Sequence, residues 1–155
     1  EYSSSLKNIV IELGFKYAFG QHSGVVDYTK NLFEMPRFPI NEKYGEKKRF
    51  KTILKTLPFP YKSIQPKERY ISDKNNPPKV NIQFFDNLKN LNNINCFSNE
   101  EDKWRNSKIK FDNKTNLNII LDGKFTTERG RINCSLRENN GFYRWLGIQF
   151  VVKEK

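Results

Sequence analysis

The chain has 155 residues, of which 36% are hydrophobic and 14% aromatic, enough for one domain or two small ones with a buried core, so wholesale disorder is excluded. No apolar run approaches the roughly 20 residues of a membrane span, and the first residues lack the basic and apolar segments of a signal peptide. The net charge of +11 favours an acidic partner such as an anionic glycan, although a coding bias towards Lys and Asn explains the same charge without one.

Residues 1 to 56 alternate between helical and strand-like patterns, as parallel α/β units do. In "SSSLKNIVIELG" the apolar residues recur on one helical face, a serine can cap the start, and Gly14 can end the helix. Two short strands, "FKYAFG" and "RFPI", are predicted next, and "NEKYGEKKRFKTILKTL" is helical again with Asn41 as its cap. Two short strands cannot bury their own faces, so we expect an incomplete α/β fragment.

Residues 57 to 79 interrupt this rhythm, and no helix fits the stretch "LPFPYKSIQPKERYISDKNNPPK". A Pro-rich linker or a long extended crossing is predicted instead. The prolines that support this interpretation are Pro58, Pro60, Pro66, Pro77 and Pro78.

Residues 80 to 155 have the rhythm of short strands separated by Asn, Asp, Gly and Glu turns. The predicted strands lie in "KVNIQFFD", "INCFS", "SKIKFD", "NLNIILDG", "RINCSLR" and "FYRWLGIQFVV". Strands of this length and spacing predict a small antiparallel β-sandwich-like domain. The predicted fold class is therefore an α/β fragment followed by an all-β domain.

His22 is the chain's only histidine and follows the predicted strand "KYAFG" at the mouth of a polar turn, where open α/β sheets and barrels place functional residues. Asp27 and Glu34 are near enough in sequence to orient its imidazole. Without a second histidine, a structural role at the turn is the plainer interpretation. No nucleophile elbow, P-loop or dinucleotide motif occurs. Carboxylates such as Glu46 and Glu100 are expected on solvated faces.

Aromatic and basic residues offer a second candidate site. Strand alternation places Tyr143 and Trp145 on one face and Arg144 on the other, and Trp145 is predicted to be core. Trp104, in the polar "EEDKWRNSK", is the better candidate for an exposed stacking platform. We therefore expect Trp104, Tyr143 and Arg144 to contact a glycan. Nucleic acid is less favoured because the chain lacks a helix-turn-helix, a zinc finger or an aromatic ribonucleoprotein motif.

The two cysteines, Cys96 and Cys134, lie in predicted strands and form no CxxC pair. A sandwich can bring two such strands together, so a disulfide is predicted, with two reduced thiols as the alternative. With one histidine there is no zinc-ligand set, and we expect this chain to bind no metal or other cofactor.

The ordered motifs of "EYSSSLKNIVIELGFKYAFGQHSGVV" and "MPRFPINEKYGEKKRFK" resemble the closing portion of a polysaccharide deacetylase of the NodB-homology type. Glu1-Tyr2 stands where that family has an acidic-aromatic step, and "PRFPINEKYG" is similar to its last strand and exit. "NNPP" and "GRINCSLRENNGFYRWLGIQF" resemble the β domain appended in one bacterial branch. The resemblance extends over nearly the whole chain.

The resemblance implies the terminal strands and helices of a distorted β/α barrel over residues 1 to 56. It also implies an enzyme that removes acetyl groups from glycans with a divalent metal, zinc or similar, held by Asp-His-His. The family motifs "TFDDG" and "HxxxH" do not occur here, and "FGQH" does not match the family's "LxxH", so no catalytic role is transferred to His22.

We therefore expect the C-terminal part of a metal-dependent polysaccharide deacetylase, inactive by itself. Its partner would be a polysaccharide or cell-envelope glycan, and its location the periplasm, the cell envelope or the outside of the cell. The alternative is a non-catalytic carbohydrate- or cell-wall-binding sandwich module.

Overall fold

The computed structural model describes residues 3–42, 44–86 and 88–153, which form a mostly β structure with two short α-helices. Helix α1 spans Ser4–Glu12 and helix α2 spans Lys47–Leu54. Glu1 and Tyr2, which carry the first step of the family resemblance, lie outside the described residues. The strands are β1 (Thr56–Pro58), β2 (Tyr61–Gln65), β3 (Tyr70–Ile71), β4 (Val80–Phe84), β5 (Asn95–Glu100), β6 (Lys103–Asn106), β7 (Lys108–Asn113), β8 (Asn116–Ile120), β9 (Arg129–Arg137) and β10 (Tyr143–Val152).

The strands of the described chain form two sheets, which do not close into a barrel. The six-stranded sheet has the order β1–β10–β9–β5–β6, with β3 also paired to β10, and the four-stranded sheet has the order β2–β4–β8–β7. Side chains from both sheets, including Phe84, Leu117, Ile132 and Phe150, share one hydrophobic core. The six strands predicted in residues 80 to 155 all form. Strand β6 was missed because its sequence, KWRN, is polar and mostly exposed.

Residues 57–79 do not act as the predicted linker. Strands β1 and β3 pair in parallel with the two ends of β10, and β2 pairs with β4 of the other sheet. Asn76 is 6% exposed. Its Nδ2 donates to the Phe125 carbonyl at 2.8 Å, and its Oδ1 accepts from the Phe125 amide at 2.9 Å. Proline prevents a helix but tolerates sheet edges, so the segment is extended as predicted and yet is built into both sheets.

The α/β pattern predicted for residues 1 to 56 forms only in its helices. Within the described residues, "KYAFG" and "RFPI" form no strand, and one parallel bridge joins Phe19 to Met35. The backbone of "KYAFG" bonds only the loop at residues 32–35, through Ala18 and Gly20, and this contact is too short to form a strand pair. The barrel strands expected here are therefore absent from the described chain.

Both helices form, with different outcomes for their predicted caps. The Leu6 amide donates to Ser3 Oγ at 3.2 Å, and Gly14 follows the helix with a φ of +80°, as a C-terminal glycine should. Helix α2 begins after Glu46 and not at Asn41. The carbonyl and the side-chain oxygen of Asn41 both accept from the Tyr44 amide, which commits Asn41 to a separate turn.

The loop of residues 16–37 is joined to the six-stranded sheet where Ser23 crosses β10. A Cβ added at Gly147 would lie 2.2 Å from the carbonyl oxygen of Ser23 and 2.7 Å from its nitrogen. Ser23 Oγ donates to Asn133 Oδ1 at 2.7 Å and accepts from Trp145 Nε1 at 2.9 Å. Gly24 adds an antiparallel bridge to Leu146. Gly147 is therefore the position whose missing side chain lets the segment lie on the sheet.

Cys96 and Cys134 stand directly opposite one another on β5 and β9 and are joined in a disulfide, with their Cα atoms 4.1 Å apart. Both are buried in the core. The bridge closes a loop with a sequence separation of 38, which stabilises the fold by roughly 3 to 4 kcal/mol on the chain-entropy account.

We predict that Gly147→Ala loosens residues 16–37 while the two sheets stay paired, because the added methyl group overlaps the Ser23 backbone. Overpacking of this kind costs about 1 to 3 kcal/mol. Limited proteolysis should cut within 16–37 faster than in the wild type. Gly141→Asn is the control, since nothing lies within 4 Å of a Cβ there and Asn tolerates its φ of +83°. If Gly147→Ala were cut within 16–37 at the same rate as the wild type, the close contact of Ser23 with Gly147 would be contradicted.

Candidate functional site

A small cavity lies between the loop formed by residues 22–36 and the six-stranded sheet. Its floor is the middle of β10, between the parts that pair with β1 and β3. The cavity volume is about 60 Å³, room for about four water molecules and not for a sugar ring. The polar side chains that line it include His22, Lys30, Glu34, Tyr61, Arg69 and Gln149.

His22 lies in this cavity as a neutral imidazole at physiological pH. Burial and the nearby Arg69 guanidinium lower its pKa from 6.5 to about 4, while Glu34 opposes the shift through its charge and a backbone hydrogen bond. Asp27, the other carboxylate expected to orient the imidazole, instead accepts from the amide and hydroxyl of Thr29 at 3.0 and 2.7 Å. His22 therefore lines the space between the loop and the sheet as a neutral side chain.

The charged side chains beside His22 hold the loop on the sandwich. Lys7 Nζ donates to Glu34 Oε1 at 2.6 Å, which ties helix α1 to the loop. Lys30 Nζ donates to the Tyr61 carbonyl and lies 4.5 Å from the centroid of the Tyr61 ring. Burial raises the pKa of Tyr61 above 10.0. Arg69 donates to a backbone carbonyl and lies over the Phe150 ring, so these cations are engaged structurally.

A larger groove of about 330 Å³ lies on the opposite side of Trp145, between α2 and the sheet. The rings of Phe38 and Trp145 meet edge to face in it, with centroids 6.0 Å apart. Trp145 was predicted to be core, but it is half-buried and forms a wall of both cavities. Its bond to Ser23 fixes the ring in that position. The other lining residues are Glu46, Lys48, Arg49, Thr52, Ile53 and Thr56.

The three predicted glycan contacts do not form one site. Trp104 lies on β6 with 53% of its surface exposed, opposite Asn99 of β5. Tyr143 lies three strands across and several residues along β10, about 25 Å away by strand geometry. Arg144 Nε donates to Glu138 Oε1, and Arg144 Nη1 donates to the Pro58 carbonyl at 2.9 Å. Arg144 therefore holds β1 to the hairpin formed by β9 and β10.

Two buried charged residues were missed from sequence. Arg69 is 8% exposed, although its segment was predicted to be a linker. Glu100 is 1% exposed and accepts from Ser98 Oγ and the Gly123 amide. The alternation of Cys96, Ser98 and Glu100 on one face of β5 is a signal that could have placed Glu100 inward.

No protein-family model, curated protein or solved structure matches this chain. Neither helix of the described chain has the length and hydrophobicity that crossing a bilayer requires. In the same residues, His, Cys, Asp and Glu side chains do not gather into a set of three or more that could hold a metal ion.

We predict that His22 makes the fold less stable as the pH falls. The pKa of His22 is about 4 in the folded chain, against 6.5 for an imidazole exposed to water on unfolding, so its contribution is fully present above pH 6.5 and lost as the pH falls through 4. Urea unfolding at pH 7 and pH 4 should therefore show wild type losing up to about 3 kcal/mol more than His22→Gln. Equal losses in the two proteins would contradict a buried neutral His22.

Proposed function

We propose that these residues form the C-terminal part of a metal-dependent polysaccharide deacetylase, in which an incomplete α/β portion precedes a β domain. The apolar surface of residues 4–54 carries the proposal, because neither α1 nor α2 contains a buried residue. The large hydrophobic side chains exposed there are Leu6, Ile9, Ile11, Leu13, Phe15, Tyr17, Phe19, Tyr28, Ile40, Tyr44, Phe50 and Leu54.

An exposed surface of this kind is unusual, since an amphipathic helix normally packs its apolar face on a core. Phe15, Tyr17 and Phe19 are each more than half exposed and recur at every second residue, the spacing of a strand that packs one face. The additional strands and helices of a β/α barrel are the kind of structure that would cover both the exposed helix faces and these three aromatic side chains. The motif order described above supports the same assignment.

The proposed enzyme uses a divalent metal, which supplies an activated water for attack on the acetyl carbonyl. The described residues do not fit such a metal, since they offer no ligand set, and we assign no catalytic step to them. Their role in the proposal is to complete the barrel and to present the β domain. An envelope or extracellular location agrees with a glycan substrate and with the disulfide between Cys96 and Cys134.

A non-catalytic carbohydrate-binding module is the second candidate, favoured by the surface around Trp104. The indole is exposed and Asn106, also exposed, lies two residues further along β6, whereas Asn99, opposite the indole on β5, is buried and bonds the Arg129 and Arg131 backbone. An aromatic face and amide donors suit a sugar ring, which has apolar faces and hydroxyls at its edge. In that case the chain binds glycan without chemistry.

Acetate release tests the first candidate. The 155-residue chain should release no acetate from acetylated chitooligosaccharides or peptidoglycan when zinc is added. A longer natural protein that contains the chain should release acetate and lose this activity with a chelator. Chelator-sensitive turnover by the chain alone, or an inactive longer protein, would contradict the proposal. Chitooligosaccharide binding that Trp104→Ala abolishes, together with an inactive longer protein, would favour the binding module.

A further inference from the structure

The groove between α2 and Trp145 has the size and wall chemistry of a site for one sugar ring. Its volume of about 330 Å³ lies at the lower end of the range of small-ligand sites, about 300 to 1,000 Å³. Phe38 and Trp145 supply the aromatic surface. The indole of Trp145 is held by its bond to Ser23, so the wall is formed before a ligand arrives.

Two basic side chains, Lys48 and Arg49, line the groove together with one acidic side chain, Glu46. Helix α2 has the sequence KKRFKTIL, with Glu46 as the neighbouring acidic residue and Lys55 directly after it. Arg49 is already engaged, because Nη1 donates to the carbonyls of Pro39 and Tyr44 at 2.9 and 2.6 Å. Lys48 lines the groove and has no ion-pair partner among the residues that the structure describes. A ligand with a negative charge would complement Lys48.

We infer that this groove binds an acidic sugar residue, a hexuronate, within a polysaccharide chain. The ring packs on Trp145 and Phe38, and the carboxylate pairs with Lys48. Glu46 lines the same groove, where its carboxylate accepts hydrogen bonds from sugar hydroxyls. The inference rests on the proposed function for the choice of a glycan as ligand and adds that this glycan is anionic.

The test titrates the folded chain with oligogalacturonate and, separately, with chitooligosaccharide of the same length, and follows calorimetry and tryptophan fluorescence. Oligogalacturonate should bind at least about tenfold more tightly, and the preference should fall as salt is raised, because screening weakens exposed charge pairs. Equal affinity for the two glycans, or no binding of oligogalacturonate, would overturn the inference.

Matched variants locate the site. Lys48→Gln should weaken oligogalacturonate binding about fivefold or more, whereas Lys51→Gln, which removes an α2 charge outside the groove lining, should change it less than twofold. Thr52→Phe should block binding by filling the groove without removing an existing ring contact. Equal losses for Lys48→Gln and Lys51→Gln would show a diffuse charge effect and overturn the site, as would full affinity in Thr52→Phe.

Two further outcomes separate this inference from its alternatives. Binding to vesicles of anionic lipid, with none to oligogalacturonate, would assign the basic helix to a membrane surface and overturn the sugar site. If the longer protein releases acetate while the chain shows no preference for oligogalacturonate, the inference fails and the proposed function stands. If oligogalacturonate binding depends on Lys48 while the longer protein is inactive, the deacetylase proposal fails and the groove stands.

Discussion

The passage of the Ser23 backbone directly over Gly147 is the contact on which the rest of the arrangement depends. It places the loop around Ser23 on the face of the six-stranded sheet opposite the core, where the Ser23 hydroxyl bonds both Asn133 and Trp145. Because the indole is fixed there, it separates the cavity around His22 from the groove beside α2. The approach of Ser23 to Gly147 thus fixes the wall that both cavities share.

The β domain was predictable because burial on one face of a strand imposes alternation. Inward residues of β9, such as Ile132, Cys134 and Leu136, are buried and alternate with half-buried ones, and that period is visible in the sequence. Residues 57–79 lack such a period, since their strands are two to five residues long and lie at sheet edges. The local sequence pattern does not distinguish a short strand paired at a sheet edge from an extended segment without a partner, so the prediction of a linker failed there.

The candidate sites were less predictable because they depend on contacts between segments distant in sequence. Alternation correctly grouped Tyr143 with Trp145, but the core face of β10 is that of Leu146, Ile148 and Phe150. Trp145 lies on the opposite face, where the crossing by Ser23 makes it a cavity wall. Arg144 looked available and is tied to Glu138 and Pro58. Likewise, "KYAFG" has strand propensity but no strand beside it in the described chain, and propensity without a partner is not enough to form a sheet.

Amide hydrogen exchange of the unmodified chain at neutral pH tests most directly whether residues 3–54 are an incomplete portion held on a stable sandwich. Amides in β9 and β10 should open only with global unfolding, whereas α1 and α2, which bury no residue, should exchange much faster. Amides near the crossing, such as those of Gly20 and Arg37, should show intermediate protection. Protection of α1 and α2 equal to that of β9 and β10 would contradict this account.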